Sequence, residues 1–186
     1  MNKPTHVAGG ILAASSYICL SGRFTPGIIE GGWAAVTNIA CASLMLLGAV
    51  NGSLIPDIEK KGSAISNKHK VISFVSRIIF SHRGFVHSLL ALALLAVVVL
   101  PLGMLIPKGI GVSYAVGLLF GYGSHLVLDA FNPTGVPLFY PCKKKISLCR
   151  IRTGSVFESL FLLLVVCIIF IINYQYLSSI IYSVKV

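Results

Sequence analysis

Acidic residues are the scarcest polar group in this chain. Only 5 of its 186 residues are aspartate or glutamate, and charged residues of both signs make up 11%. Soluble domains carry about 25% charged residues. Hydrophobic residues make up 56% of the chain, and the mean hydropathy is +0.90. This balance excludes an ordinary soluble protein and indicates an integral membrane protein.

Five apolar stretches account for the composition. They cover residues 4–20, 33–55, 87–106, 110–131 and 156–184, and a membrane-spanning helix needs about 20 residues. The first stretch is the shortest and follows a basic residue, as in a signal peptide, but it lacks a small-residue cleavage site, so we interpret it as a retained helix. The sequence predicts one integral-membrane domain over residues 1–186, an all-α, polytopic transmembrane helical bundle with about five spans.

Two glycine pairs have a spacing that lets membrane helices pack closely. Gly48 and Gly52 lie in the second stretch, and Gly117 and Gly121 lie in the fourth. Small residues four apart allow two helix backbones to approach each other. Both pairs therefore predict helix contacts.

Basic residues are divided unevenly between the two sides of these spans. If each stretch crosses once, 12 of the 15 lysines and arginines fall on the side of the N-terminus and of segments 56–86 and 132–155. Cytoplasmic loops carry such an excess, so this side is predicted to be cytoplasmic. The net charge of +10 does not indicate a nucleic-acid partner, because the basic residues lie in short loops where anionic lipid headgroups attract them. Membrane lipid is the predicted partner.

Residues 67–80 have the pattern of neither a loop nor a span. Six apolar residues share one helical face, and Lys70, Ser73 and Arg77 line the other. This pattern predicts one amphipathic helix in the cytoplasmic interface. A short helix packed on the bundle would have the same pattern.

Histidines and acids gather on the predicted cytoplasmic side. All five histidines, and every acid except Glu30, lie there or in the adjacent helix turns. His125 and Asp129 are four residues apart and share one helix face. Ionisable residues inside a membrane helix are costly and are usually functional. This pair is the centre of the predicted site.

Further nitrogen and oxygen ligands lie near the same membrane face. His82 and His87 stand at the start of the third span, Asp57 and Glu59 follow the second span, and His6 lies in the first turn of the first span. Imidazoles and carboxylates together suit zinc, manganese or iron. We predict a metal site, with zinc as the first candidate.

Each of these residues taken alone has a structural explanation. An isolated buried histidine is usually hydrogen-bonded within the packing. Ser155 and Glu158 have the spacing of a capping box that begins the fifth span. His69 lies among lysines and is expected to be solvated. The interpretation as metal ligands depends on the whole group.

Six short motifs, in chain order, resemble the YdjM-like family of bacterial inner-membrane proteins. They are TH at residues 5–6, PDIE at 56–59, SHRGFVHS at 81–88, GSHLVLD at 123–129, NPTGV at 132–136 and RTGSVFE at 152–158. Glu59 stands where the family commonly has aspartate, and Val86 stands where threonine usually precedes the second histidine. The resemblance covers nearly the whole chain.

The resemblance implies a location in the bacterial inner membrane and a membrane-bound metal-dependent hydrolase, similar to zinc-dependent phospholipase C. It also implies a polar site made of seven residues of this chain: His6, Asp57, His82, His87, His125, Asp129 and Glu158. The family is also labelled LexA-binding, which we connect with control of the gene in the SOS response.

We therefore predict hydrolysis of a phosphoester or phosphodiester of a lipid at the cytoplasmic interface. Arg83 lies between two candidate ligand histidines, and its guanidinium is suited to grip phosphate oxygens. Glu59, Glu158 or Asp57 would serve as the general base if not bound to metal. The alternative is a non-enzymatic membrane protein whose metal site is structural or handles ions. Ion transport is disfavoured because transporters bind near the bilayer midplane, and here the middles of the spans are apolar.

Overall fold

The five predicted apolar stretches form five α-helices. A computed structural model describes residues 1–21, 32–59, 84–142 and 144–185. The helices are α1 (Lys3–Ser21), α2 (Gly32–Gly52), α3 (Leu89–Met104), α4 (Ile110–Ala130) and α5 (Val156–Lys185). Short 3-10 turns at Ile55–Glu59 and Pro107–Gly109 follow α2 and precede α4. The all-α prediction is confirmed, because the described ranges contain no β-strand, only one isolated bridge between Val136 and Ile146.

Three of these helices are long and apolar enough to cross a membrane. The qualifying stretches are Val36–Asp57, Ile110–Ala130 and Val156–Ser178, and α3 is a shorter apolar helix. On α5, large apolar side chains such as Phe157 and Phe170 are exposed on the outside of the bundle, as lipid contact requires. The predicted interfacial helix over residues 67–80 lies outside the described residues and stays a prediction.

The two glycine pairs bring α2 and α4 into backbone contact, as predicted. A Cβ atom added at Gly117 or Gly121 would lie 2.0 Å from the carbonyl oxygen of Met45 or Ala49 on α2. A Cβ atom added at Gly52 would likewise lie 2.0 Å from a carbonyl oxygen of α4. Contacts this close exclude any side chain. The spacing of α2 and α4 is therefore set by main-chain atoms.

The helices alternate in direction, so that the polar residues meet at one end of the bundle. Thr5 near the start of α1 contacts Glu158 near the start of α5. Ser53, just beyond α2, contacts His125 near the end of α4. We call this end, where α1, α3 and α5 begin and α2 and α4 end, the polar end.

The segment between α4 and α5 folds back over the polar end. The amide of Leu148 donates to the carbonyl oxygen of Ala130 at 2.7 Å, and the amide of Ile151 donates to that of Phe131 at 3.1 Å. The amide of Leu89, the first residue of α3, donates to the carbonyl oxygen of Leu138 at 2.9 Å. The segment thus joins the beginning of α3 to the end of α4.

Candidate metal centre

His125 is fixed by a main-chain group of the neighbouring helix. Its side chain is fully buried, and its Nδ1 lies 2.7 Å from the carbonyl oxygen of Ser53. A carbonyl oxygen only accepts hydrogen bonds, so Nδ1 must carry the proton. In the neutral ring the lone pair is then on Nε2. This is how metal-binding histidines are usually oriented.

Asp129 lies one helical turn beyond His125 on the same face of α4. Its Oδ2 is 3.3 Å from Nε2 of His125, and its Oδ1 is 3.2 Å from Nε2 of His6. Oδ1 also accepts a hydrogen bond from the amino group of Met1 at 2.9 Å. The predicted pairing of His125 and Asp129 is therefore present, and one carboxylate contacts histidines of two helices.

His87 approaches the same carboxylate from the start of α3. Its Nε2 lies 3.6 Å from Oδ2 of Asp129. The next residue, Ser88, is the N-cap of α3 and accepts a hydrogen bond from the amide of Ala91 at 3.2 Å. The hydroxyl of Tyr122 on α4 donates to the carbonyl oxygen of Val86. These contacts on both sides of His87 fix its backbone.

Asp57 brings a second carboxylate close to His125 and His87. It lies in the 3-10 turn after α2, and its Oδ1 is 3.8 Å from Nε2 of His125 and 3.9 Å from Nε2 of His87. A tetrahedral ion with bonds of about 2.1 Å holds its ligand atoms about 3.4 Å apart. The separations between these carboxylate oxygens and ring nitrogens, 3.3 to 3.9 Å, are close to that value.

His6 stacks on His125 from α1. The ring centroids are 3.8 Å apart and the ring planes are 13° from parallel. His6 is fully buried, and neither of its ring nitrogens has a hydrogen-bond partner in the described part of the chain. Nε2 is close to Asp129, but the contact lacks hydrogen-bond geometry. The structure thus brings His6, Asp57, His87, His125 and Asp129 together.

The donor set fits a divalent metal ion. Nε2 of His125 is buried and also has no hydrogen-bond partner among the described residues. Burying such a nitrogen costs about 1–3 kcal/mol, and coordination would satisfy it. Two overlapping groups have their ligand atoms within 4.8 Å of one another: His6, Asp57 and His125, and His87, His125 and Asp129. Neutral imidazoles with carboxylates suit zinc, and manganese or iron as well.

Glu158 has a different environment from these five residues. Its Oε1 accepts hydrogen bonds from the amide of Asn2 at 2.5 Å and the hydroxyl of Thr5 at 3.2 Å, and its Oε2 accepts one from the amide of Gly154 at 2.6 Å. Ser155 accepts a hydrogen bond from the amide of Glu158, as in the predicted capping box. The carboxylate, however, bonds to Gly154 and to the start of α1. Its predicted catalytic role stays a prediction.

Three predicted site residues lie wholly or in part outside the described residues. His82 and Arg83 precede the first described residue of their segment, Gly84, and the side chain of Glu59 lies outside the described residues. His69 also lies outside them. Their predicted roles stay predictions.

Ser53 is the site residue that the sequence did not indicate. It acts through its main-chain carbonyl oxygen, which every residue has, so its side chain carries no signal of this function. Its position directly after Gly52, where α2 and α4 are in backbone contact, is the only indication that it would meet the end of α4.

The cluster is not fully enclosed by the described residues. The side chains of His6 and His125 are at most 1% exposed, whereas those of Asp57 and Asp129 are 20% and 14% exposed. The side chain of His87 is 11% exposed. His87 and the two carboxylates are therefore partly accessible, whereas His6 and His125 form the buried side of the cluster.

These features define a class of protein, a polytopic helical membrane protein with a candidate metal centre where its helices meet. The chain belongs to the YdjM family, because the model of that family, described as YdjM inner membrane protein, matches residues 1–184. Family membership and the apolar helices support a location in the inner membrane.

The chain is also similar to individual proteins. The chain is 35% identical to the inner membrane protein YdjM of Escherichia coli (strain K12) and of Shigella flexneri over 133 residues, which are 70% of this chain and 61% of each relative. It therefore spans about three fifths of the length of those proteins. It is 32% identical to the uncharacterized protein YvsG of Bacillus subtilis (strain 168) over 163 residues, 87% of this chain and 88% of that protein. No solved structure matches the chain.

Proposed function

We propose that this chain is a membrane-bound metal-dependent hydrolase that cleaves a phosphoester or phosphodiester of a lipid at the cytoplasmic interface. The observation that carries the proposal is the convergence of three histidines and two aspartates from four parts of the chain, which form two overlapping groups with ligand atoms within 4.8 Å of one another. Such a convergence in a chain with only 5 acids indicates function.

The residues of the cluster have distinct tasks in this proposal. His125, Asp129, His87 and Asp57 would hold the ion, and Ser53 keeps the lone pair of His125 on Nε2. A bound zinc, manganese or iron ion would lower the pKa of a water molecule and polarise a phosphoryl oxygen.

The exposure of the carboxylates supports an enzyme over a purely structural site. Structural zinc sites are closed by protein ligands, whereas catalytic sites keep an open position. Asp57, Asp129 and His87 form the partly accessible side of the cluster, so a substrate would approach along them. Excess lysine and arginine in the flanking loops would attract anionic headgroups to the same side.

Three further residues have roles that follow from the sequence. Arg83 adjoins the segment that carries His87, and its planar guanidinium suits two oxygens of one phosphate. Glu59 follows Asp57 in the same turn and would act as general base. Glu158 would act as a base only after release from its present hydrogen bonds.

A structural metal site is the second candidate, and one observation favours it. The five cluster residues come from α1, the turn after α2, the start of α3 and the end of α4. An ion bound to them would fasten four chain segments together and stabilise the fold.

The two candidates are separated by an activity screen on metal-loaded protein. The protein is purified in detergent, its metal content is measured, and it is incubated with labelled phospholipids and phosphomonoesters. The proposal expects cleavage at the phosphate, which releases the headgroup from a phospholipid or inorganic phosphate from a phosphomonoester. This product should disappear in Asp129→Ala. Bound metal with no turnover of any substrate would favour the structural site.

A further inference from the structure

His6 and His125 cannot both bind the same ion in the arrangement seen here. An imidazole coordinates through a lone pair in the plane of its ring, at about 2.0–2.1 Å. The two rings are stacked 3.8 Å apart and nearly parallel. An ion in the plane of His125 therefore lies roughly 3.5 Å from the plane of His6, because stacked rings approach no closer than van der Waals contact.

Asp129 offers one oxygen to each ring. Its Oδ2 lies 3.3 Å from Nε2 of His125, and its Oδ1 lies 3.2 Å from Nε2 of His6. A carboxylate whose two oxygens contact different histidines is placed to bridge two metal ions. Two-metal hydrolytic sites hold their ions about 3.5–4 Å apart, which is the spacing of the stacked rings.

His6 also lacks the partners that a packing histidine needs. It is fully buried, and both its ring nitrogens are without hydrogen bonds in the described ranges. Coordination through Nε2 would satisfy one of them. A carboxylate oxygen of Asp57 lies within 4.8 Å of a ring nitrogen of His6 and of one of His125. A second carboxylate is therefore close to the position of an ion bound by His6.

We propose that the cluster binds two divalent ions bridged by Asp129, one held by His125 and His87 and the other by His6. This inference rests on the proposed metal centre and adds its second ion. The competing arrangement has one ion, with Oδ1 of Asp129 held by the amino group of Met1 at 2.9 Å.

Metal stoichiometry tests the proposal without relying on activity. Purified protein is stripped, reloaded with Zn²⁺ alone and analysed by mass spectrometry. Two ions per chain are expected in the wild type and one in His6→Gln, whose amide keeps a polar group of similar size but is a poor ligand. His69→Gln is the matched control, because the sequence places His69 among lysines, and it should keep two ions.

A second measurement covers the case in which His6→Gln does not fold. The wild type is loaded with Mn²⁺ alone, and electron paramagnetic resonance should show two exchange-coupled ions. One ion per chain in both wild type and His6→Gln, or an uncoupled Mn²⁺ signal at full loading, would overturn the second ion. Hydrolysis by such a one-ion protein would leave the proposed function standing. A wild type that binds no ion would overturn the metal centre together with this inference.

Discussion

The Nδ1–H group of His125 donates a hydrogen bond to the carbonyl oxygen of Ser53, 2.7 Å away. This contact joins the end of α4 to the end of α2 and leaves Nε2 of His125 directed at the cluster. The lone pair that would bind an ion is thus fixed by the main chain of another helix. The geometry of the candidate centre depends on how α2 and α4 pack, as well as on the ligands themselves.

Replacing His125 or Asp129 should remove the bound metal. His125→Ala and Asp129→Ala each delete a ligand that lies within 4 Å of other ligand atoms, and the remaining ligands are then too few to hold an ion firmly. Metal analysis of the purified variants checks this. Asn173→Ala is a suitable control, because Asn173 bonds to Ser15 between α1 and α5 and belongs to neither metal-ligand group. Unchanged metal in both cluster variants would identify the pair as a packing feature.

Gly117→Ala should loosen the contact between α2 and α4. The new Cβ would lie 2.0 Å from the carbonyl oxygen of Met45, so the helices must separate, at a cost of about 1–3 kcal/mol. We expect a lower unfolding temperature in detergent and reduced metal content. Gly123→Ala is the matched control on the same helix, since its Cβ would meet only a side-chain atom of Leu92 at 3.9 Å. Equal stability of the two variants would mean that the backbone contact is unimportant.

Glu158→Gln should destabilise the protein while leaving its metal content unchanged. Glutamine keeps an oxygen for the amide of Asn2 but presents an NH₂ group to the amide of Gly154, which needs an acceptor. The loss of a charge-assisted hydrogen bond predicts a stability decrease of about 1–3 kcal/mol, measurable by thermal unfolding. A fall in turnover of the metal-loaded variant, without a fall in stability, would instead identify Glu158 as the general base.

Arg83→Lys should impair catalysis without affecting the fold or the metal. Lysine keeps the charge but lacks the planar fork that binds two phosphate oxygens. We expect phosphoesterase activity to fall about tenfold or more, which corresponds to about 1.4 kcal/mol of transition-state stabilisation. Arg77→Lys, a change of the same kind in the same basic segment, should leave the activity intact. Full activity in Arg83→Lys would exclude Arg83 as the phosphate-binding group.

The two ends of α5 should lie on opposite sides of the membrane. The excess of basic residues on one side predicts that Lys145 is cytoplasmic and Lys185 is periplasmic. Reporter enzymes that are active in only one compartment, fused after each residue, provide the measurement. The same compartment for both fusions would contradict the model of five spans.

The positions of the helices were predictable because the bilayer imposes a minimum apolar length. The stretch predicted over residues 110–131 corresponds to α4 at Ile110–Ala130, and the one over 4–20 corresponds to α1 at Lys3–Ser21. The glycine pairs were informative because few residue types are small enough to let two membrane helices come into backbone contact. Ionisable residues stand out in such a background, and five of the predicted ligands lie together.

The contacts that give the site its geometry could not be predicted in this way. The stacking of His6 on His125 depends on the rotation of α1 about its axis, which an apolar helix with little amphipathic pattern does not reveal. The capping-box spacing located Ser155 correctly but gave no indication that Glu158 would bond to Asn2 and Thr5. Partners so far apart in sequence are determined by the packing of whole helices.

The bond between Glu158 and the start of α1 has a consequence for biosynthesis. Asn2 and Glu158 are 156 residues apart, so α1 leaves the ribosome long before its partner on α5 exists. Until α5 has entered the membrane, the turn that carries His6 lacks the carboxylate that anchors it. The anchoring of the start of α1 at the polar end is therefore complete only after the last helix has been inserted.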